Sequence, residues 1–514
     1  MKNFILLLLF TFISLPTVFS QEEGKNKDQF EYPFGETGKP ISRGVYGSDD
    51  RKEVNDAEGI EDFVRATAVM IPRSNIRGNR VYGYSLRERL SRKFGTSNFD
   101  KNIKFLDQPT CASCTGFLIA PDILVTAAHC IKNMEKAKDY VWIFDYTNEL
   151  DYYPNRKYIE VDLLNMFEVK EIIEAHYDGD EDIDYSFLKL DRKSSRAPYR
   201  FRTSGKVQLS SRVATIGSPT GLPLKYADNA VVVDNSPTKW FKNSIDTFPG
   251  NSGGPVFSPE GFIEGIHVRG AVQEQGDGSY KGDYKYDEYC DCIKTVNWTS
   301  TRYNAGAQAH RISSVPYNVL HTAIYENIEY AIQNRLPNRL KSWSIYSWIF
   351  DHNYTVEKGK FELLAASSNN FEALKFILEK TSNLVFDSNG RNLLFYAIDN
   401  NNLIMTEYLL DKGVSVNTPD NMKQDAMFYS LHSGELEIIR LLLSKYEDFD
   451  KIDTNGNNLL HLAAILGDFP IVKDLVKNGV NAGIRNNAKK RPENISKKNK
   501  KIRKYLKKAR KGRL

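Results

Sequence analysis

The first two thirds of the chain alternates short apolar runs with turns rich in Gly, Pro and Asp. Runs of this length, bounded by turn residues, are typical of β-strands. Residues 45–334 are therefore predicted to form one all-β domain. The clearest predicted strands are residues 115–119, 123–126, 187–190, 213–217, 230–233 and 262–268.

Four stretches beside or within these runs do not have the strand pattern. Residues 79–109 and 273–301 are long and polar, so they are predicted to be surface insertions rather than strands. Residues 319–332 show apolar side chains at helical spacing and are predicted to close the domain. Residues 335–356 are then predicted to be a linker.

A repeat with a period of 33 residues occupies the C-terminal third of the chain. One apolar block occurs three times, as Leu-Leu-Phe-Tyr-Ala, Ala-Met-Phe-Tyr-Ser and Leu-Leu-His-Leu-Ala at residues 393–397, 426–430 and 459–463. A second helical pattern follows each block, and Gly413 and Gly479 stand where such helices should stop. The block at 458–463 resembles the ankyrin-repeat signature. That resemblance implies an all-α solenoid over residues 357–514, which ends in a basic cap.

The N-terminus has the features of a secretory signal. Lys2 precedes a short apolar run, and Val18 and Ser20 occupy the small-residue positions of a cleavage site. Residues 1–20 are therefore predicted to be a signal peptide, and the protein is predicted to be secreted or periplasmic; the alternative is an uncleaved anchor. Residues 21–44 are polar and are predicted to be a propeptide or a flexible arm. No segment is apolar over the length that a bilayer requires, so no membrane span is expected.

Charge is distributed unevenly along the chain. The formal net charge is +5 over 514 residues, yet residues 485–514 hold fifteen Lys or Arg and one acidic residue, Glu493. Such a basic tail can bind an anionic surface or nucleic acid, and it can equally be the solvated cap of the last repeat.

Two short motifs carry groups that acyl transfer requires. Peptide hydrolysis needs a nucleophile, a base, a group that orients the base, and donors for the oxyanion. His129 lies in Thr-Ala-Ala-His-Cys, where small residues let the imidazole turn into a cleft from the end of a strand. Ser252 lies in Gly-Asn-Ser-Gly-Gly-Pro, where Gly250 allows a turn that aims its own N–H and that of Ser252 at one point.

These motifs, in the order His, Asp, Ser, resemble the trypsin/chymotrypsin superfamily of serine peptidases. The resemblance implies a double β-barrel and a catalytic triad of His129, Asp184 and Ser252. It also implies that the backbone N–H groups of Gly250 and Ser252 form the oxyanion hole. Peptides or proteins would be the substrates, and no metal or cofactor is expected.

The acid of the triad must lie between the two motifs. Asp184 opens the apolar run Tyr-Ser-Phe-Leu-Lys-Leu, which matches the form of the superfamily, and it is preferred for that reason. Asp182 is the alternative, because it would point to the same side of a strand. The acidic residues around them lack the Gly and Glu that a calcium loop of the EF-hand type requires.

The chain has five cysteines, namely Cys111, Cys114, Cys130, Cys290 and Cys292. Export permits disulfides, and an odd number leaves at least one thiol free or paired between chains. The superfamily resemblance implies a Cys114–Cys130 disulfide, because these residues lie 16 positions apart, as in that family. A zinc site at the two close cysteine pairs is the less favoured alternative.

A narrower resemblance is to the glutamyl endopeptidase branch of the superfamily. Residues 45–51 look like the mature start of those enzymes, Thr247 precedes Ser252 by five positions, and His267 follows it by fifteen. In that branch these positions line a pocket that holds a glutamate side chain. Asp246 stands where trypsins keep the acid that binds Lys or Arg, so Lys/Arg specificity is the alternative.

The sequence therefore predicts an exported serine endopeptidase that cleaves after Glu and whose ankyrin repeats recruit a protein partner. A hypothesis of a different class is a binding protein in which the repeats do the biological work and the peptidase domain is vestigial. The complete set of triad residues favours the enzyme.

Overall fold

The computed structural model describes residues 49–179, 182–269, 284–296, 306–351, 359–381, 385–496 and 499–513. The predicted signal peptide at 1–20 and the predicted arm at 21–44 lie outside these residues, so both stay predictions. None of the helices in the described ranges has the length and hydropathy that crossing a membrane would require.

Strands are the main regular secondary structure of the described residues from Asp49 to Arg311. The strands are β1 (Lys52–Glu53), β2 (Thr67–Pro72), β3 (Ile76–Arg77), β4 (Arg80–Tyr82), β5 (Cys114–Ala120), β6 (Ile123–Thr126), β7 (Tyr140–Phe144), β8 (Tyr152–Tyr153), β9 (Tyr158–Glu160), β10 (Met166–Phe167), β11 (Val169–Asp178), β12 (Ile183–Leu190), β13 (Arg200–Phe201), β14 (Arg212–Gly217), β15 (Lys225–Asp234), β16 (Trp240–Asn243), β17 (Pro255–Phe257), β18 (Phe262–Arg269), β19 (Tyr284–Asp287), β20 (Cys292–Thr295) and β21 (Ala307–Arg311).

Two large sheets hold most of these strands. The first sheet has the order β10-β7-β2-β5-β6-β12-β11 and stays open among the described residues. The second has the order β1-β15-β14-β17-β18-β21-β16, and β16 also pairs with β15, so six strands close into a barrel. Every residue of β5 is buried, because this strand lies at the centre of the first sheet and packs on both faces. The all-β part of the predicted fold is confirmed.

The described residues contain helices α1 to α3 between strands β1 and β7, and a longer series of helices after β21. They are α1 (Glu61–Arg65), α2 (Leu86–Phe94), α3 (Met134–Ala137), α4 (Tyr317–Gln333), α5 (Pro337–Trp343), α6 (Lys360–Ser367), α7 (Phe371–Leu378), α8 (Leu393–Asp399), α9 (Leu403–Asp411), α10 (Ala426–Ser433), α11 (Leu436–Leu443), α12 (Leu459–Leu466), α13 (Phe469–Lys477), α14 (Pro492–Ile495) and α15 (Lys500–Arg510). The all-α part of the predicted fold is confirmed by this series.

The two predicted insertions have secondary structure of their own. The insertion at 79–109 contains α2, whose Ser85 caps the N-terminus by accepting from the Glu88 N–H. The prediction that these insertions contain no strands is wrong, because β4 lies within 79–109 and pairs with β3 and β9. Within 273–301, β19 and β20 pair as a hairpin. Their buried Tyr284 and Ile293 pack with Leu86 of α2, so the two insertions cover each other. A two-stranded hairpin needs such a partner to be stable, and the sequence pattern does not reveal that partner.

The stretch predicted as a linker, 335–356, is helical over α5 and packs on the β-domain. Trp343 is 1% exposed and lies 5.8 Å, ring to ring, from Phe201 of β13. The Tyr346 hydroxyl accepts from the Phe201 N–H at 3.0 Å and donates to the Phe201 carbonyl at 2.7 Å. Full burial of a large apolar side chain contributes about 1.5–3 kcal/mol, so this stretch joins the two parts firmly.

The repeats are built on identical turns spaced 33 residues apart. The carboxylates of Asp387, Asp420 and Asp453 each accept two backbone N–H groups, from the residues two and four positions later, at 2.8–2.9 Å. Neighbouring turns are also joined, because the Asn421 N–H donates to the Asn389 carbonyl at 2.9 Å. The exact 33-residue period in the sequence therefore reflects one turn geometry that is repeated.

The basic tail forms the last helix of the array. Ile502 and Leu506 of α15 are fully buried, whereas Lys500, Lys504 and Lys508 are exposed. The only acid of the tail, Glu493, is paired with Arg510 at 3.2 Å. The tail thus covers the end of the array with its apolar face, and binding of an anionic surface by its exposed face stays a prediction.

Candidate active site

His129 and Asp184 are brought together at the ends of two neighbouring strands of the first sheet. His129 follows β6 and Asp184 is the second residue of β12, and these two strands are paired. The Nδ1 of His129 lies 2.6 Å from Oδ2 of Asp184, and the His129 backbone N–H donates to Oδ1 at 3.0 Å. Asp184 is 2% exposed, whereas about a third of the imidazole surface is open to solvent. The buried carboxylate therefore fixes the orientation of an accessible imidazole, whose Nε2 remains for another partner.

Asp182, the alternative acid, has a different contact. Its backbone has a φ of 54°, which turns the chain out of the strand before β12 begins. Its Oδ1 accepts from Nη1 of Arg269 at 2.8 Å, at the end of β18. The structure thus places Asp184, and not Asp182, against His129, because the strand alternation on which both candidates relied does not extend to Asp182.

The turn that carries Ser252 is held against the first sheet by Thr115 of β5. The Thr115 N–H donates to the Ser252 carbonyl at 2.8 Å, and the Thr115 hydroxyl donates to the Gly250 carbonyl at 2.7 Å. Gly250 has a φ of 104°, and a Cβ there would lie 2.2 Å from the Ser218 carbonyl oxygen. Only glycine fits at position 250 without displacing the backbone that it touches.

Two backbone donors in this turn are open. Neither the Gly250 N–H nor the Ser252 N–H donates to an acceptor within the described ranges, although both residues lie in a closely packed turn. Ser252 itself is half-buried, and its side chain makes no hydrogen bond to His129 in this structure. An unused donor in a packed turn is costly unless a ligand or water satisfies it, so these groups are available to a bound oxyanion.

A disulfide joins Cys114 to Cys130 beside the histidine, with Cα atoms 6.4 Å apart. The Sγ of Cys130 also lies 3.7 Å from the Ser252 carbonyl oxygen, so this bridge touches both motifs. A second disulfide joins Cys290 to Cys292, and Cys111 is a buried free thiol. These pairings answer a question that the sequence left open.

One group of residues in the described ranges has the spacing of metal ligands: Cys114, His129 and Cys130. Two of its three ligand atoms are the sulfurs of the disulfide, and metal ligation requires thiolates. The donor set therefore does not fit a metal.

His267 of β18 lies at the back of the site. Its backbone donates to the Gly254 carbonyl at 2.8 Å and accepts from the Gly253 N–H at 2.7 Å, which ties it to the serine turn. The side chain is 2% exposed, and its Nδ1 has no hydrogen-bond partner among the described residues. Burial, with a smaller contribution from the charge of His129, lowers the pKa of His267 to about 4. His267 is therefore uncharged at neutral pH.

Thr247 and Asp246 precede the serine turn and face different partners. The Thr247 hydroxyl is buried and has no partner in the described part of the chain. Oδ2 of Asp246 accepts from the Asp50 backbone N–H at 3.1 Å. Burial, and then the adjacent Asp50, raises the pKa of Asp246 to about 8, so the ionised form of this carboxyl is disfavoured.

The sequence interpretation overlooked two residues of this region. Thr115 was part of a predicted strand, but nothing in a strand pattern shows that its hydroxyl reaches the serine turn. Asp50 was part of the predicted mature start, and its contact with Asp246 joins positions 196 residues apart. No local signal marks a contact of that separation.

Comparison with known families agrees with this architecture. A family model described as a trypsin-like peptidase domain matches residues 114–266. A second model, for ankyrin repeats, matches residues 320–420 and 418–490. The chain thus carries a trypsin-like peptidase domain followed by ankyrin repeats. The ankyrin match begins inside α4, before the predicted start at residue 357.

Individual relatives each match a portion of the chain. A putative ankyrin repeat protein of Rickettsia bellii is 29% identical over 23% of this chain and 18% of its own length. A probable palmitoyltransferase AKR2 of Saccharomyces uvarum is 26% identical over 20% of this chain and 15% of its own length. An extracellular metalloprotease of Bacillus subtilis is 24% identical over 51% of this chain and 77% of its own length. The chain thus spans less than a fifth of the first two relatives.

The buried, neutral His267 makes stability depend on pH. An unfolded chain takes up a proton on this histidine near its ordinary pKa of 6.5, whereas the folded chain does so only near 4. Stability should therefore fall as the pH drops from about 6.5 to 4, by about 2 kcal/mol at pH 5, since one pKa unit corresponds to about 1.4 kcal/mol.

The measurement is the thermal midpoint at pH 7 and pH 5 for the wild type and for His267→Gln. The wild type should lose more stability than the variant between these values. His176→Gln, at an exposed histidine, is the control and should follow the wild type. Equal losses in all three proteins would contradict the assignment.

Proposed function

We propose that the protein is a serine endopeptidase in which His129, Asp184 and Ser252 form the catalytic triad. The observation that carries the proposal is the pair of contacts between His129 and Asp184, on an imidazole that remains open to solvent. With its Nδ1 proton directed at a buried carboxylate, the imidazole presents Nε2 as the acceptor. A peptidase needs a base held in this orientation.

The steps follow from these positions. Nε2 of His129 takes the proton of the Ser252 hydroxyl as its oxygen attacks the peptide carbonyl, and later gives it to the leaving amine. Asp184 stabilises the imidazolium that forms between these events. The open N–H groups of Gly250 and Ser252 bind the oxyanion of the tetrahedral intermediate. Water, activated by His129, then hydrolyses the acyl-enzyme. The missing contact between Ser252 and His129 does not oppose this role, since such contacts tighten when substrate binds.

Replacing Ser252 with Ala should lower the rate of peptide hydrolysis by several orders of magnitude, because the nucleophile is lost. The thermal midpoint should stay the same, since the Ser252 side chain makes no hydrogen bond within the described part of the chain. Hydrolysis of a fluorogenic peptide library measures the first effect. Mass spectrometry after fluorophosphonate labelling should find the label on Ser252. A label on another serine, with Ser252 untouched, would refute the proposal.

We further propose cleavage after glutamate. A buried carboxylate is costly unless it gains hydrogen bonds, and the two pocket positions offer them. The Thr247 hydroxyl and Nδ1 of His267 are both buried and unpartnered within the described ranges. Because burial keeps His267 neutral, it supplies one N–H donor, and a carboxylate beside it would favour its protonation.

Asp246 gives little support to Lys/Arg specificity. A side chain that selects a cation needs a free negative charge in the pocket. Here the carboxyl accepts from the Asp50 N–H, and burial and Asp50 raise its pKa to about 8, so its ionised form is disfavoured. Asp246 is therefore a poor countercharge for Lys and repels Glu only weakly.

The test compares peptides that are identical except for Glu, Lys or Val before the scissile bond. Glu should be preferred by about tenfold or more, as expected for a site that hydrogen-bonds a polar side chain. His267→Ala should reduce this preference, while fluorophosphonate still labels Ser252 as in the wild type. A preference for Lys that Asp246→Ser abolishes would overturn the assignment.

We also propose that the repeats recruit a protein partner. Of the turns built on Asp387, Asp420 and Asp453, the first and the last carry an exposed apolar side chain at the equivalent place. Phe386 and Ile452 directly precede Asp387 and Asp453 and are 46% and 49% exposed, whereas Pro419 precedes Asp420. Exposed apolar side chains at equivalent positions of the array suit a protein surface. The two disulfides fit action outside the cytoplasm, where such bonds persist.

The variant Phe386→Ser/Ile452→Ser in the full chain tests recruitment. Cleavage of short peptides should be unchanged, because these positions lie on the repeat turns and the catalytic groups lie in the β-domain. Cleavage of a panel of folded proteins should become several-fold slower for the preferred substrates. Ile404→Ser, at an exposed residue of α9, is the control. If the double variant cleaved the panel as the control does, recruitment through these turns would be wrong.

A further inference from the structure

The first described residues of the chain lie against the loop that leads into the serine turn. Lys52 and Glu53 form β1, which pairs with Tyr226 and Lys225 at the edge of the second sheet. Just before β1, the Asp50 N–H donates to Asp246 at 3.1 Å. The segment 49–53 is thus attached both to the barrel and to the start of the loop at 246–249.

Arg51 is the centre of this attachment. It is 1% exposed, although arginine is among the residues least often buried. Its Nε donates to Oδ1 of Asp49 at 2.8 Å and its Nη2 to Oδ2 at 2.5 Å, so the charge is paired within the segment. Its carbonyl accepts from Nζ of Lys104 at 2.9 Å. The guanidinium is therefore held in one orientation by neighbours outside the loop at 246–249.

The face of that guanidinium covers Phe248. The Cζ of Arg51 lies 3.7 Å from the centroid of the Phe248 ring, which is the shortest distance to a ring among the cation–aromatic contacts of the described residues. On its other sides the Phe248 ring meets Tyr284 of β19, with centroids 6.0 Å apart. A desolvated planar cation over an aromatic face is a strong and directional contact. Phe248 is thus fixed from the N-terminal segment.

Phe248 also begins the turn that offers the oxyanion donors. Its carbonyl accepts from the Asn251 N–H at 3.1 Å, and the carbonyl of the next residue, Pro249, accepts from the Thr220 N–H at 2.6 Å. Gly250 follows directly with a φ of 104°. A rotation at Phe248 would therefore move the plane of the peptide that carries the Gly250 N–H, because one residue separates them.

We propose that Arg51 is a positioning residue for the oxyanion turn: it holds Phe248 so that the Gly250 and Ser252 N–H groups stay directed at the substrate. The inference rests on the proposed serine peptidase function and assigns a role within it to the N-terminal segment. Donors that are fixed before the reaction stabilise the developing charge, whereas donors that must first be ordered do not. Loss of Arg51 should therefore act on turnover more than on substrate binding.

The experiment measures kcat and KM for the full chain carrying Arg51→Met, with rates divided by the fraction of molecules that fluorophosphonate labels after long incubation. The kcat should fall about tenfold or more, while KM changes by less than about twofold. Phe248→Leu should give the same split, because it removes the ring that Arg51 covers. Arg51→Lys keeps the charge but loses the planar contact, so it should also lower kcat; it replaces Arg51→Met if that variant does not fold.

Arg196→Met is the matched control. Arg196 is 7% exposed, pairs with Asp145 at 2.6 Å, and lies 4.8 Å from the ring of Phe144 in the first sheet, so it is an equivalent buried arginine without a contact to the serine turn. The kcat of Arg196→Met per labelled molecule should equal that of the wild type. Equal kcat losses in Arg51→Met and Arg196→Met, or a change confined to KM, would overturn the positioning role. A wild-type chain whose Ser252 takes no label would instead overturn the peptidase proposal.

Discussion

The contact on which the catalytic geometry depends is made by one buried threonine between the two sheets. Thr115 of β5 binds the carbonyls of Gly250 and Ser252 through its hydroxyl and its N–H, and the same hydroxyl accepts from the Ser218 N–H at 3.1 Å. The serine turn packs so closely on β5 and β6 that Gly253 has no room for a side chain. A Cβ there would lie 2.0 Å from the Thr126 hydroxyl oxygen and 2.3 Å from the Thr115 carbonyl oxygen. The serine turn leads into β17 of the second sheet, whereas His129 follows β6 of the first sheet. The contacts of Thr115 therefore set the position of Ser252 relative to His129.

The same first sheet also supports the repeats. Nζ of Lys189 in β12 lies 3.0 Å from Asp122 and 2.7 Å from Glu326 of α4, and the side-chain amide of Asn327 in α4 donates to the Ile119 carbonyl of β5 at 2.7 Å. The contact between the buried Asn327 amide and the Ile119 carbonyl restricts α4 to one position on β5, because a shift of the helix would leave both buried groups without a partner and would destabilise the fold. The helix that begins the repeat array is thereby fixed to the strand that carries Thr115. The apolar core accordingly continues from the β-domain into the repeats.

Polar groups beside the serine turn are tuned by burial more than by charge pairing. Burial lowers the pKa of His267 and raises that of Asp246, and each residue is joined by backbone hydrogen bonds to the serine turn or to the N-terminal segment. Burial thus disfavours a charge on either side chain. The N-terminal segment is part of this environment, because Asp50 and Arg51 contact two of the three residues from 246 to 248.

The sequence by itself determined the two-part architecture and the residues of the candidate site. His129, Ser252 and the 33-residue repeat stand in contiguous motifs, where local spacing carries the information, and the apolar run after Asp184 gave the strand that presents it. The tertiary structure alone decided what depends on contacts between distant positions. It placed Asp182 against Arg269, it paired Cys290 with Cys292, and it packed the stretch predicted as a linker on Phe201. It also turned Asp246 towards Asp50 and brought Arg51 over Phe248, because side-chain direction and burial arise only when strands far apart in the chain share one core.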